Sequence, residues 1–165
     1  IQRLSREGLV KVLPRKGLFV TEININDQLN LIQVRREIER LMAKLSARNS
    51  TIAQKKRFKE ISAGMRSCKR SNNAKFMKLD SEMNELLSNS CDNEFVRRSI
   101  RIVGGLSRRF WYYRNKRILD DLPLMAKLHS NVCDAISNGN IKLAQEKSDQ
   151  LMDYIEKFTK ESVQL

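Results

Sequence analysis

Four polar side chains fall where helical spacing calls for apolar ones, and their types suit the binding of an anion or a metal. Arg35 lies one turn before Ile38 and two turns before Met42 on the periodic set Leu31, Val34, Ile38, Leu41, Met42 and Leu45. Its guanidinium is therefore expected on or beside an inward helix face, with Glu39 four residues on to neutralise it. Asp80 and Asn84 form an i, i+4 pair among Leu79, Met83 and Leu87, and the only histidine, His129, lies among Met125, Leu128, Val132 and Ile136. An unpaired buried charge is costly, so polar groups on three apolar stripes point to one shared cavity. Blander arrangements fit the same spacing: a hydrogen-bonded core histidine, an Arg35–Glu39 pair on the helix surface, and an Asp80–Asn84 pair solvated at a bundle edge.

Two basic segments offer a different chemistry. Between Phe95 and Ile118 the chain carries Arg97, Arg98, Arg101, Arg108, Arg109, Arg114, Lys116 and Arg117 with no acid, interleaved with Phe110, Trp111, Tyr112 and Tyr113. Arginines with aromatics bind single-stranded nucleic acid by stacking and phosphate contacts, although at helical spacing the same residues make a core stripe and a solvated face. Arg15, Lys16 and Gly17 follow Pro14 at a turn, where two cations project toward phosphates or a minor groove. There is no glycine-rich phosphate loop and no adjacent nucleophile and base, and one histidine cannot supply an H-x-x-x-H pair, so no enzyme is expected.

The elements that must position these groups follow from the whole chain. It has 165 residues, 32 Lys plus Arg against 19 Asp plus Glu, and a formal net charge of +13. That length suits one compact core, and the charge suits a polyanionic partner. Cys68, Cys91 and Cys133 are far apart, which argues against a disulfide scaffold and for a reducing, cytoplasmic home; no apolar run is long enough for a membrane span. Only six glycines and two prolines interrupt a helical pattern.

Ile1 to Glu7 reads as the end of a helix capped by Gly8, so a preceding segment is expected. Leu9 to Leu13 and Leu18 to Val20 read as a hairpin around Pro14 to Gly17. Helices are then expected from about 27 to 48, from a Ser50 cap to about 68, from about 76 to 88, and from about 94 to 119 with Gly104-Gly105 as a kink or close contact. A fifth is expected from an Asp120 or Asp121 cap with Pro123 in its first turn, and a sixth bears Ala144, Leu151, Ile155 and Phe158 inward. The fold class is mostly α: an antiparallel six-helix bundle behind a small basic β-hairpin.

Gln2-Arg3-Leu4-Ser5-Arg6-Glu7-Gly8-Leu9-Val10 and Pro14-Arg15-Lys16-Gly17-Leu18-Phe19-Val20 resemble the end of the winged helix-turn-helix domain of GntR family transcription regulators, a helix ending in L-x-x-E-G-L-V followed by a P-R-x-G-x-F-V wing. Val34-Arg35-Arg36-Glu37-Ile38-Glu39, the stretch Asp80 to Asn93, and His129 with Ala135-Ile136 resemble the all-helical FCD effector domain of the FadR branch, in its six-helix, VanR-like form. The resemblance implies residues 1–22 as the remnant of a DNA-binding domain, with Arg15, Lys16 and Gly17 at the DNA, and 23–165 as an effector-binding and dimerisation domain. It also implies a cytoplasmic homodimer whose partners are a double-stranded operator and a small organic acid, held by Arg35, Asp80, Asn84 and His129.

Many relatives hold a divalent metal with an Asp, a His four residues on, the fifth-helix His and a fourth His. Here only Asp80 and His129 match; Asn84 and Leu151 occupy the other two positions, so no metal or other cofactor is expected. The alternative from a different class is a helical interaction or RNA-binding module that uses the basic fourth helix and takes no small ligand.

Overall fold

A computed structural model describes residues 1–113 and 115–162, with the side chains of 115–120 left aside. The chain opens with a short helix α1 (Gln2–Arg6) and strands β1 (Val10–Leu13) and β2 (Gly17–Val20). Six long helices follow: α2 (Ile25–Asn49), α3 (Ile52–Arg66), α4 (Asn73–Ser90), α5 (Glu94–Tyr113), α6 (Asn115–Ser137) and α7 (Ile141–Glu161).

Local chemistry sets most of the boundaries. Leu9 N–H donates to the Leu4 carbonyl at 2.9 Å and Gly8 N–H to Ser5 at 3.1 Å. This double closure needs the left-handed backbone of Gly8, at φ +72°. Strands β1 and β2 pair antiparallel with Val10 opposite Val20 and Leu13 opposite Gly17. Lys16 N–H closes the turn on the Leu13 carbonyl at 3.1 Å, and Arg15 takes φ +61°, the position a type II turn with Pro14 before it reserves for glycine or asparagine. The Asn24 side chain accepts from the backbone of Asn26 and Asp27 to start α2, and Asn93 caps α5 through Phe95 and Val96 N–H at 3.1 Å.

Several expected boundaries move. Thr51, in a reciprocal capping box with Gln54, starts α3, while Ser50 closes α2 by donating to the Ser46 carbonyl at 2.6 Å; a capping box satisfies two orphan N–H groups where a lone serine satisfies one. Helix α5 is described as far as Tyr113 and α6 from Asn115, with the junction at Arg114 outside the described residues; α6 does not start at Asp120 or Asp121, and Pro123 lies inside it. Pro123 is exposed, and α6 forgoes one backbone hydrogen bond there instead of starting with it. The side chains of Asp120, Lys116 and Arg117, and Arg114 altogether, lie outside the described residues.

Helix α2 packs along α7, and α3 along α6, around a core that includes Phe58, Ile61, Met65, Cys133, Ile136, Leu151 and Met152. Met42 and Leu45 are buried in it as their spacing predicts, but Val34 and Leu41 are 54% and 39% exposed, because the buried stripe of α2 runs through Ile32, Met42, Ala43 and Ser46 instead. Ala144, Leu151, Ile155 and Phe158 of α7 are all buried. The three cysteines are buried and free, and burial, with the charges of Asp134 and Asp80, pushes the Cys133 thiol up, so it is unreactive. Among the described residues no helix is long and apolar enough to cross a membrane.

Candidate functional site

Helices α2, α4, α5 and α6 enclose a cavity of about 510 Å³, within the range of small-molecule sites. Arg35, Asp80, Asn84 and His129 all line it, so the four polar groups that stand out on apolar stripes do meet.

His129 and Asp80 form its inner wall. The Nδ1 of His129 lies 2.8 Å from the Met125 carbonyl one turn back, so this nitrogen carries a proton and turns Nε2 toward Asp80 Oδ1 at 3.3 Å. The Phe76 ring meets the imidazole edge-on at 5.4 Å. Asn84 Nδ2 donates to both the carbonyl and the Oδ1 of Asp80, at 2.8 and 3.1 Å. Burial works to raise the Asp80 pKa, but the hydrogen bond and charge of His129, with the charges of Arg35 and Arg108, outweigh it and hold the carboxyl below its ordinary range. Asp80 is thus a fixed carboxylate, and the Asn84 oxygen is the acceptor left for a ligand.

Arg35 donates through Nε to Glu39 at 2.5 Å, and the two side chains are each only 11% exposed, so the pair lies inside and not on the helix surface. The bond uses one of five guanidinium N–H donors, and the fork keeps donors for a ligand anion. Its neighbour Arg36 points elsewhere: it pairs with Asp153 at 2.7 Å and Glu156 at 3.2 Å on α7. Adjacent arginines about 100° apart on one helix therefore divide the work between cavity and scaffold.

Two walls are not legible from the apolar stripes. Arg97, Arg101, Gly104, Gly105, Arg108 and Trp111 of α5 line the cavity; the i, i+4 and i+11 spacing of the arginines, on a helix with no acid after Glu94, is the signal that marks them as one face. Gly104 and Gly105 produce no close helix contact, since a Cβ at either would meet nothing within 4 Å. Each costs the helix about 1 kcal/mol relative to alanine. Trp111 stacks on Phe158 with ring centroids 4.7 Å apart and Phe110 is buried, whereas Tyr112 and Tyr113 are exposed. The aromatics of α5 are thus divided between core and solvent and form no continuous stacking platform. Arg3 and Glu7 of α1, ion-paired at 2.9 Å, also line the cavity. Arg109 of α5 donates to Thr21 Oγ1 at 2.7 Å, and Thr21 donates to the Gly8 carbonyl at 2.8 Å, which ties α5 to the end of α1.

The donor set does not fit the divalent metal of many FCD relatives. Asp80 and His129 are the two suitable donors, the Asn84 amide oxygen is a poor ligand for zinc or nickel, and Leu151 is buried at 2% exposure in the core. Among the described residues no group of three or more His, Cys, Asp or Glu could hold a metal ion. Arg15, Lys16 and Gly17 are exposed at the hairpin tip and take no part in the cavity.

Residues 30–154 match the FCD domain family. Among solved structures, the chain is similar to E. coli McbR/YncC, with a TM-score of 0.80 at 12% identity over 98% of this chain and 77% of that one. It is also similar to a Streptococcus agalactiae GntR, with a TM-score of 0.63 at 15% identity over 94% of this chain and 78% of that one. No curated protein matches the sequence. At these identities the likeness of the solved structures is one of fold.

Proposed function

The chain belongs to the FCD domain family, whose GntR-type members are non-enzymatic transcription regulators with an effector-binding domain, and from that premise we propose that its cavity takes a small organic acid that modulates operator binding. The observation that carries this reading is the convergence of Arg35, Asp80, Asn84 and His129 on one cavity of about 510 Å³. The acid group pairs with the Arg35 fork, Asn84 accepts from a neighbouring hydroxyl or amide, and the His129 ring, its two nitrogens engaged by Met125 and Asp80, forms the wall beside them. Asp80 holds His129 in place and repels an anion from its own side of the cavity.

Residues 1–22 are the end of a winged helix-turn-helix domain, with Arg15 and Lys16 on phosphates and Gly17 completing the turn; residues 23–165 bind effector and dimerise. Exposed Val34 and Leu41, two turns apart on α2, support a self-association face. Effector binding reaches the DNA head by a short route, because α1 supplies Arg3 and Glu7 to the cavity and α5 holds Thr21 through Arg109. The rival nucleic-acid reading of α5 loses support, since three of its arginines face a cavity and its aromatics are split.

Two measurements test this. A thermal-shift screen of organic acids on the chain is expected to return stabilising ligands, and a screen in which none stabilises it counts against the effector reading. Changing Arg15 and Lys16 to alanine is expected to weaken binding to any duplex and to lower the salt slope by roughly one for each phosphate no longer neutralised. An effect confined to one sequence would instead show that the hairpin reads bases.

A further inference from the structure

Arg101, Gly104, Gly105 and Arg108 lie on one stripe of α5 and line the cavity. The glycines sit between the arginines at spacings of three and four residues, and the arginine Cα atoms are about 10 Å apart along the axis. No packed neighbour requires a glycine at either position, because a Cβ there would meet nothing within 4 Å. The helix gives up propensity at this step and gains open space, not a close contact.

The charge of the cavity is concentrated at the same place. Arg3 pairs with Glu7 at 2.9 Å, Arg35 with Glu39 at 2.5 Å, and Arg97 lies 3.3 Å from Glu94. Arg101 and Arg108 form no ion pair among the described residues; they act on Glu94 and Asp80 only through space. Two arginines without carboxylate partners thus flank a stretch of backbone stripped of side chains. An arginine fork matches the oxygens of a carboxylate or phosphate, and glycine lets such an oxygen approach the main chain.

We propose that Arg101, Gly104, Gly105 and Arg108 form a second anion subsite, so that the effector carries two acidic groups. One meets Arg35, and the other, a phosphate or a second carboxylate, lies over the glycine step between Arg101 and Arg108. This rests on the reading of the cavity as the effector site and adds the chemical class of the ligand.

Calorimetric titration of the 165-residue chain with butyrate, glutarate and 3-phosphoglycerate at matched ionic strength tests it. At least one two-charge probe binds about tenfold tighter than butyrate, the equivalent of one charge-assisted hydrogen bond. Preference for glutarate assigns a carboxylate to the subsite, and preference for 3-phosphoglycerate a phosphate. The Arg101→Gln, Arg108→Gln double variant brings the two-charge probes down to the affinity of butyrate. The Gly104→Ala, Gly105→Ala variant weakens them too while raising the melting temperature by about 4–8 °C, opposite signs that a purely structural role for the glycines would not give. If butyrate binds as tightly as both two-charge probes, or the double glutamine variant keeps their advantage, the second subsite is overturned and the effector reading stands. If none of the three binds, both fall.

Discussion

At Gly64, inside α3, a Cβ would come within 3.0 Å of Leu79 Cδ1 on α4, whereas at Gly104 and Gly105, inside α5, a Cβ would meet nothing within 4 Å. The two places mark two regions with different tasks. Around Gly64 the helices α2, α3, α6 and α7 bury Phe58, Ile61, Met65 and Ile136 almost completely. The polar groups there are small and bonded: Ser46 donates to the Leu87 carbonyl, Ser90 to Ser46, and Ser62 to the Ser130 carbonyl. Around Gly104 and Gly105 the walls are arginines, paired carboxylates, an imidazole and open space. The first region accounts for the fold, and the second retains volume and charge that a stable bundle does not require.

The largest effect expected from this contrast is in the closed region. Phe58→Ala, at a side chain with no exposure, is expected to cost about 3–5 kcal/mol in urea denaturation. Met77→Ala, at the half-buried cavity wall, is expected to cost only about 1 kcal/mol. Equal costs would erase the distinction. Next comes Gly64→Val, which overpacks the α3–α4 contact and is expected to cost about 1–3 kcal/mol, a loss where alanine at Gly104 and Gly105 is a gain.

The closed region is the more legible in the sequence, because burial repeats along each helix. Met42, Leu45, Phe76, Met83, Leu87, Ala144, Leu151, Ile155 and Phe158 can be read from spacing alone. So can Arg35, Asp80, Asn84 and His129, since a polar group interrupts such a stripe visibly. The α5 wall cannot: its arginines obey the rule for a solvated face, and only the tertiary arrangement turns that face into a cavity. Arg3 and Glu7 escape for the same reason, as nothing local says that α1 borders the cavity. The helix start expected at Asp120 or Asp121 is absent because proline usually marks a first turn, and Pro123 lies well inside α6.

A smaller effect follows from the Asp80 carboxyl. Its pKa is lowered in the fold, so its contribution to stability is present above the ordinary carboxylate range and lost as the pH falls through the lowered value. Asp80→Asn is expected to flatten the acid side of a stability-against-pH curve. An unchanged acid limb would show that the His129–Asp80 contact contributes nothing to stability. The smallest effect concerns metal: EDTA is expected to leave the melting temperature unmoved, with well under one equivalent of zinc, nickel or manganese by elemental analysis. A stoichiometric metal lost on His129→Ala would mean that another residue completes the site.

The contrast holds only if the polar groups of the cavity serve a ligand and do not merely satisfy one another. Arg35 is the sharpest place to ask, because Arg35→Lys keeps a cation for Glu39 while losing the planar fork. Stability by urea denaturation and affinity for a stabilising organic acid, measured on the same preparation beside Arg35→Ala, give the comparison. The lysine variant is expected to unfold within about 1 kcal/mol of the parent yet to lose affinity about tenfold or more. Retained affinity in a destabilised lysine variant would contradict the ligand role and leave Arg35 and Glu39 as a structural pair.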